Sequence, residues 1–290
     1  MKFVNTLFAF LISVAVSTLA LAEELTMVWQ TSGIPQPESI VFDKQRNQYY
    51  VSSVNGNPLE ADGKGGIALV SGDGKLLDAE WVAGLNAPKG LALVKDTLYV
   101  ADIDHLVVID VTNQRIKNRF PANNAKFLND VVAQNNGTVY VSDTFTSTIY
   151  QLRDEQLSVW LQDEQLKAPN GLFIKGKHLY VGAWGTNIQP DFSTDEDGLL
   201  IKVHLNSKAI TEVSSAPVGQ LDGVEKLSGG KWLATDWLAG ELMVLDKSGD
   251  PLQVFSLGQG SADLTYHKGQ GQKLILVPMM LNNEVRAYKF

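Results

Sequence analysis

The chain has 290 residues, with 24 Lys and Arg against 32 Asp and Glu for a net charge of −8, and it has no cysteine. An acidic balance without any Lys/Arg cluster argues against a phosphate-backbone partner, so no nucleic acid is expected. The missing thiols exclude disulfides, thiolate zinc sites and cysteine nucleophiles, so stability has to come from packing and strand pairing.

Residues 1–22, MKFVNTLFAFLISVAVSTLALA, carry one lysine, a long apolar run and small residues at Ala20 and Ala22. This order reads as a secretory signal peptide cut before Glu23. A membrane anchor is disfavoured because no basic flank follows the apolar run. Cleavage removes Lys2 and leaves 23 basic against 32 acidic side chains, a net charge of −9. The expected product is periplasmic or secreted, with no membrane attachment, and residues 23–290 form a single domain.

From there the chain repeats itself. Apolar runs open six units at PESIVFD (37), PKGLALV (88), LNDVVAQ (128), PNGLFIK (169), LDGVEKL (221) and SADLTYH (261), spaced by 51, 40, 41, 52 and 40 residues. Each continues through a turn into a second strand such as TLYVAD, TVYVSD, HLYVGA or KWLATD, then a third such as HLVVID or TIYQL. Short Gly, Asn and Asp turns between aliphatic and aromatic runs favour strands over helices. Repeats of this length suit four-stranded propeller blades. The last unit has only three strands before Phe290, and LTMVWQ (25–30) is a spare strand ahead of the first. Pairing the two would close the ring and remove its open edges. The predicted fold is all-β, a six-bladed β-propeller closed by the N-terminal strand of the mature chain.

In such a ring the first strand of every blade lines the central axis, and equivalent residues at their starts meet at one mouth. In order they are Glu38, Lys89, Asn129, Asn170, Asp222 and Ala262, followed at the next position by Ser39, Gly90, Asp130, Gly171, Gly223 and Asp263. The apolar framework repeats while this position varies, as expected of one asymmetric site. Asp102, Asp143 and Asp236 instead recur at second-strand ends and read as turn or cap residues. Glu38, Asn129, Asn170 and Asp222 offer four hard oxygen donors with two negative charges, which suits a divalent metal, calcium above all. Any one of them alone would be an ordinary turn residue. His105, His178, His204 and His267 fall at non-equivalent positions, so a histidine zinc cage has no support.

The ordered set PESIVFD, FLNDVV, APNGLF and LDGVEKL resembles the regucalcin, gluconolactonase and luciferin-regenerating-enzyme family, to which diisopropylfluorophosphatase is similar. The resemblance covers essentially all of the mature chain. It implies a divalent metal held in the channel by Glu38, Asn129, Asn170 and Asp222, hydrolysis of a lactone or related ester, and a catalytic role for Asp222. Two positions depart from the family. Members acting on sugar lactones tend to have an arginine where this chain has Phe127, which weighs against a sugar-lactone substrate. Lys89 puts an ammonium into the same ring. About 6 Å from a divalent ion, at an effective dielectric of about 20, it would be repelled by roughly 5 kcal/mol. It is therefore expected to turn toward a carboxylate such as Asp102 or Asp130, or to pair with Glu38 and replace the ion.

Two long loops, NGNPLEADGKGG (55–66) and WGTNIQPDFSTDEDG (184–198), belong to the same face and are candidate lids. Phe127, Phe145, Trp184, Asp130 and Asp263 are the expected substrate-binding residues, with Trp237 a further wall candidate. Asp222 is the expected catalyst and Lys89 the group that stabilises developing negative charge. The alternative is a non-enzymatic propeller that captures a small ligand or a protein partner, since fold does not decide function.

Overall fold

Burial grades across each unit as a ring of radial sheets requires. The strands Val139–Asp143 and Trp232–Asp236 are buried along their whole length, whereas Arg115–Pro121, the outermost strand of its sheet, alternates between exposed and half-buried positions. The computed structural model describes residues 24–269 and 272–289; the expected signal peptide, residues 1–22, lies outside the described residues.

Six four-stranded antiparallel sheets follow one another in chain order. The inner strands of the first five blades are Pro37–Asp43, Pro88–Val94, Leu128–Ala133, Pro169–Lys175 and Leu221–Lys226. The sixth blade is built from Thr265–Gly269, Gln272–Met279, Glu284–Lys289 and, outermost, Thr26–Ser32. The N-terminal strand pairs with the last one from Thr26↔Lys289 to Ser32↔Glu284, so the ring is closed as expected and its first and last sheets leave no unpaired join.

The core is divided among the blade interfaces. Tyr50, Ile67, Leu98 and Ile109 pack blade 1 on blade 2, and Leu172, Val181 and Ile201 of blade 4 pack on Tyr140, Ile149 and Trp160 of blade 3. Ile40, Val51, Leu276 and Val285 join the last blade to the first. Aliphatic and aromatic residues on alternate strand positions therefore serve the blade on either side.

One boundary differs from the sequence reading. The sixth inner strand becomes regular only at Thr265, four residues after the repeat opens at Ser261, with a lone bridge Ser261–Met279 before it. Pro278 faces this stretch and has no N–H to complete the ladder, although its carbonyl accepts from Ala262 N at 3.0 Å. Asp263 N instead donates to the Glu38 carbonyl of blade 1 at 3.1 Å.

Candidate functional site

The ring residues sit at a repeated fault in the sheet. Pairing between first and second strands breaks register between Pro37 and Ile40, Pro88 and Leu91, Leu128 and Val131, Pro169 and Leu172, and Leu221 and Val224. Each bulge releases two residues from the ladder and re-aims their side chains. The first of the two is the ring residue. The second comes so close to the next blade that Gly is required in three of them: a Cβ on Gly171 would lie 2.1 Å from the Asp222 carbonyl oxygen, and one on Gly90 2.5 Å from Asp130 Cα.

The segments leading into these strands are tied down by the recurring aspartates. Asp102 accepts from Asn86 N and Ala87 N, Asp143 from Lys126 N, Phe127 N and Phe145 N, and Asp236 from Gln220 N and Ala239 N, all within 2.8–3.2 Å. They fill the turn role expected of them.

Glu38, Asn129, Asn170 and Asp222 converge on one chamber of about 210 Å³, and Lys89 also lines it. All five side chains are buried. Each of the four oxygen-bearing residues leaves a buried atom without a hydrogen-bond partner: Glu38 Oε2, Asn129 Oδ1, Asp222 Oδ1, and both Oδ1 and Nδ2 of Asn170. Buried polar atoms are normally paired, so four orphaned oxygens facing one space mark where water or a bound ligand would supply their partners. A hard cation fits that donor set. Among the described residues no three His, Cys, Asp or Glu side chains gather into a metal-holding group; this ring has two carboxylates and takes its remaining oxygens from amides.

Burial pushes the Glu38 carboxyl well above the usual range, and the charges of Asp222 and Asp263 add to the effect. Asp222 is raised chiefly by burial and then by Asp263. Two carboxyls held this far from their ordinary ionisation require a nearby positive charge to become stable as anions.

Lys89 does not supply it directly. Its Nζ donates to the carbonyls of Ala87 at 3.0 Å and Pro58 at 3.2 Å and lies 4.3 Å from the centre of the Phe127 ring. The expectation that it turns to Asp102 or Asp130, or pairs with Glu38, is corrected: carbonyl dipoles and an aromatic face solvate the ammonium, and Pro58 pins the blade 1 loop in doing so. Burial brings the Lys89 amine down to about 8, with Glu38 and Asp102 acting through space in the opposite sense.

Asp130 and Asp263 are also placed differently from the expectation, outside the chamber lining. Asp130 Oδ2 accepts from Leu172 N and Oδ1 from Val131 N, both at 2.6 Å, supplying acceptors that the bulged strands lack. Asp263 Oδ2 accepts from Ser39 Oγ at 2.5 Å and so links blade 6 to blade 1. Both stitch neighbouring inner strands together beneath the ring.

Phe127, Phe145, Trp184 and Trp237 do line the chamber. Phe127 stacks on Phe145 at 4.5 Å between centroids, and Phe192 lies 6.3–6.4 Å from Phe127, Phe145 and Trp184. The sequence reading did not single out Phe192, Ile188 or Thr144. The first two lie in the loop 184–198, which is ordered by its own short ladder, Gly185–Thr186 against Glu196–Asp197, and by Trp184 Nε1 donating to the Phe192 carbonyl at 2.8 Å. Aromatic and aliphatic residues inside a long polar loop were the available signal. Thr144 accepts from Asn129 Nδ2 at 3.1 Å and donates to the Pro169 carbonyl at 3.0 Å, which turns Asn129 Oδ1 into the chamber.

Fold and site together define a six-bladed β-propeller with a ring of buried polar side chains beneath an aromatic mouth. Solved structures share the architecture. One described as a "putative gluconolactonase" superposes with TM-score 0.65 at 18% identity, covering 92% of this chain and 91% of that one. Virginiamycin B lyase from Staphylococcus aureus gives 0.62 at 10% identity over 92% and 100% of the two chains. A nidogen/laminin complex gives 0.61 at 16% identity over 77% and 81%. No family model and no curated protein matches the chain. At these identities the likeness establishes the fold, which these structures put to quite different uses.

Proposed function

We propose that this protein is an exported, calcium-dependent hydrolase of the gluconolactonase type that opens a lactone or related ester in its central chamber. The observation that carries the reading is the set of four orphaned oxygens, from Glu38, Asn129, Asn170 and Asp222, facing one chamber. These residues would hold the ion, which when bound supplies Lewis-acid polarisation of the substrate carbonyl.

The chain's own groups have separate tasks. The Asp222 carboxylate takes the proton of an attacking water, or attacks the carbonyl carbon itself to give an acyl-enzyme that water then hydrolyses. Thr144 holds the Asn129 amide in one orientation. Lys89, bonded to two carbonyls in the wall, keeps a fixed positive charge near the oxygen on which negative charge develops. Water adds across the acyl C–O bond and the product is a carboxylate with a free hydroxyl.

The apolar walls favour a second reading, a propeller that captures a small apolar ligand without turning it over. A hydrolysis screen of lactones and aryl esters with calcium, run beside Asp222→Ala, separates the two. Turnover by the wild type that the variant loses supports the hydrolase. Turnover that survives in the variant removes Asp222 from the mechanism, and ligand binding without any turnover favours capture.

A further inference from the structure

The polar ring is the floor of a chamber whose walls offer a substrate almost nothing to hydrogen-bond. Thr144 Oγ1 already accepts from Asn129 and donates to Pro169, Trp184 Nε1 is given to the Phe192 carbonyl, and Gln36 Oε1 accepts from Gly56 N. Lys89 has spent two of its three donors on backbone carbonyls. The rest of the wall is aromatic and aliphatic: Phe127, Phe145, Trp184, Phe192, Trp237 and Met280. The hydroxyls of a polyhydroxylated ring that point at these walls, rather than at the floor oxygens or the remaining Lys89 donor, would be buried against π-faces without partners, which is unfavourable.

The apolar wall also continues outward. Phe145, Ile188 and Phe192 are shared between the chamber and an adjoining groove of about 550 Å³, whose apolar side runs past Leu59 and Pro190 while Glu164, Lys167, Asn187 and Gln189 line the rest. Leu59 and Phe145 are exposed there, at 48% and 37%. Pockets with the chamber's composition, apolar walls over a polar floor, take ligands whose bulk is apolar and whose few polar atoms are fixed at one end.

We infer that the substrate is a lactone or ester bearing an uncharged alkyl or aryl substituent, with its carbonyl on the Glu38–Asp222 floor and its substituent among Phe127, Phe145 and Phe192, longer chains leaving along the groove past Leu59. The choice of a lactone or ester rests on the hydrolase reading; the apolar specificity rests on the walls alone.

The test uses 2-alkylcyclopentanones, ring ketones that have no ester bond to cleave, titrated calorimetrically into the full mature protein with calcium present, beside D-glucono-1,5-lactone. Each added methylene is expected to tighten binding about fourfold over the first several carbons, as about 0.8 kcal/mol per buried CH₂ requires. The sugar lactone is expected not to saturate. Phe192→Ala should weaken the octyl ketone about tenfold or more and unsubstituted cyclopentanone far less, a difference that general loss of folding would not produce. An affinity flat with chain length, or a sugar lactone that competes as well as the octyl ketone, overturns the proposal. Graded ketone binding without hydrolysis of alkyl lactones would keep the apolar site and remove the hydrolase reading; hydrolysis of small polar lactones with a flat ketone series would do the reverse.

Discussion

Thr144→Val removes a single hydroxyl and keeps the shape of the side chain. Thr144 is 3% exposed, and its Oγ1 both accepts from Asn129 Nδ2 and donates to the Pro169 carbonyl. Valine leaves an amide hydrogen and a carbonyl buried without partners, each costing about 1–3 kcal/mol, so a loss of roughly 2–6 kcal/mol is expected. For a chain of this size that lowers the melting temperature by roughly 4–24 °C. The freed Asn129 amide can also rotate its oxygen out of the ring, and losing the group that orients a metal ligand weakens metal affinity by about 10–100-fold. Thr144→Ser keeps both bonds and sacrifices one methyl group, about 1 kcal/mol. Thermal unfolding and calcium titration of the three proteins check this. If Thr144→Val melts within 2 °C of the wild type, a margin well below the shift worked out above, and binds calcium as tightly, Thr144 does not orient Asn129.

Gly171→Ala should lower stability by about 1–3 kcal/mol or more, because its Cβ meets the Asp222 carbonyl oxygen at 2.1 Å, and it should weaken calcium by shifting Asp222; an unaltered melting curve would refute the close approach. Stability of the metal-free protein should depend on pH in a defined direction. Asp263, pushed up to about 6 by burial, holds its proton in the folded state where the unfolded chain has released it. Stability contributed in this way is complete below about pH 4 and is lost as pH rises to about 6, by roughly 3 kcal/mol for a shift of about two units. Glu38 and Asp222, also raised by burial, add to the decline, and saturating calcium should flatten it. Melting curves in chelator and in calcium from pH 4 to 8 check this, and a metal-free protein that gains stability across pH 4–6 contradicts it.

The blades and their closure could be read from the sequence because strand periodicity and turn chemistry are local. The ring could be read because the repeats act as controls for one another: at a position where the framework is constant, Glu38, Asn129, Asn170 and Asp222 differ. What lay beyond the sequence depends on the neighbouring blade. Asp130 and Asp263 look like ring-side carboxylates, yet they satisfy an N–H and a hydroxyl of the next strand. Lys89 settles on carbonyls of Ala87 and Pro58, and backbone acceptors leave no mark in a sequence. Phe192 reaches the mouth only because a long loop folds on its own two-stranded ladder.

The central claim is that Glu38, Asn129, Asn170 and Asp222 together hold one divalent ion. Calorimetric titration of calcium into chelator-treated mature protein, beside Asp222→Ala, tests it most directly. The account predicts one ion per chain in the wild type and loss of that binding in the variant. A wild type that binds no calcium, or a variant that binds it equally well, would contradict the account.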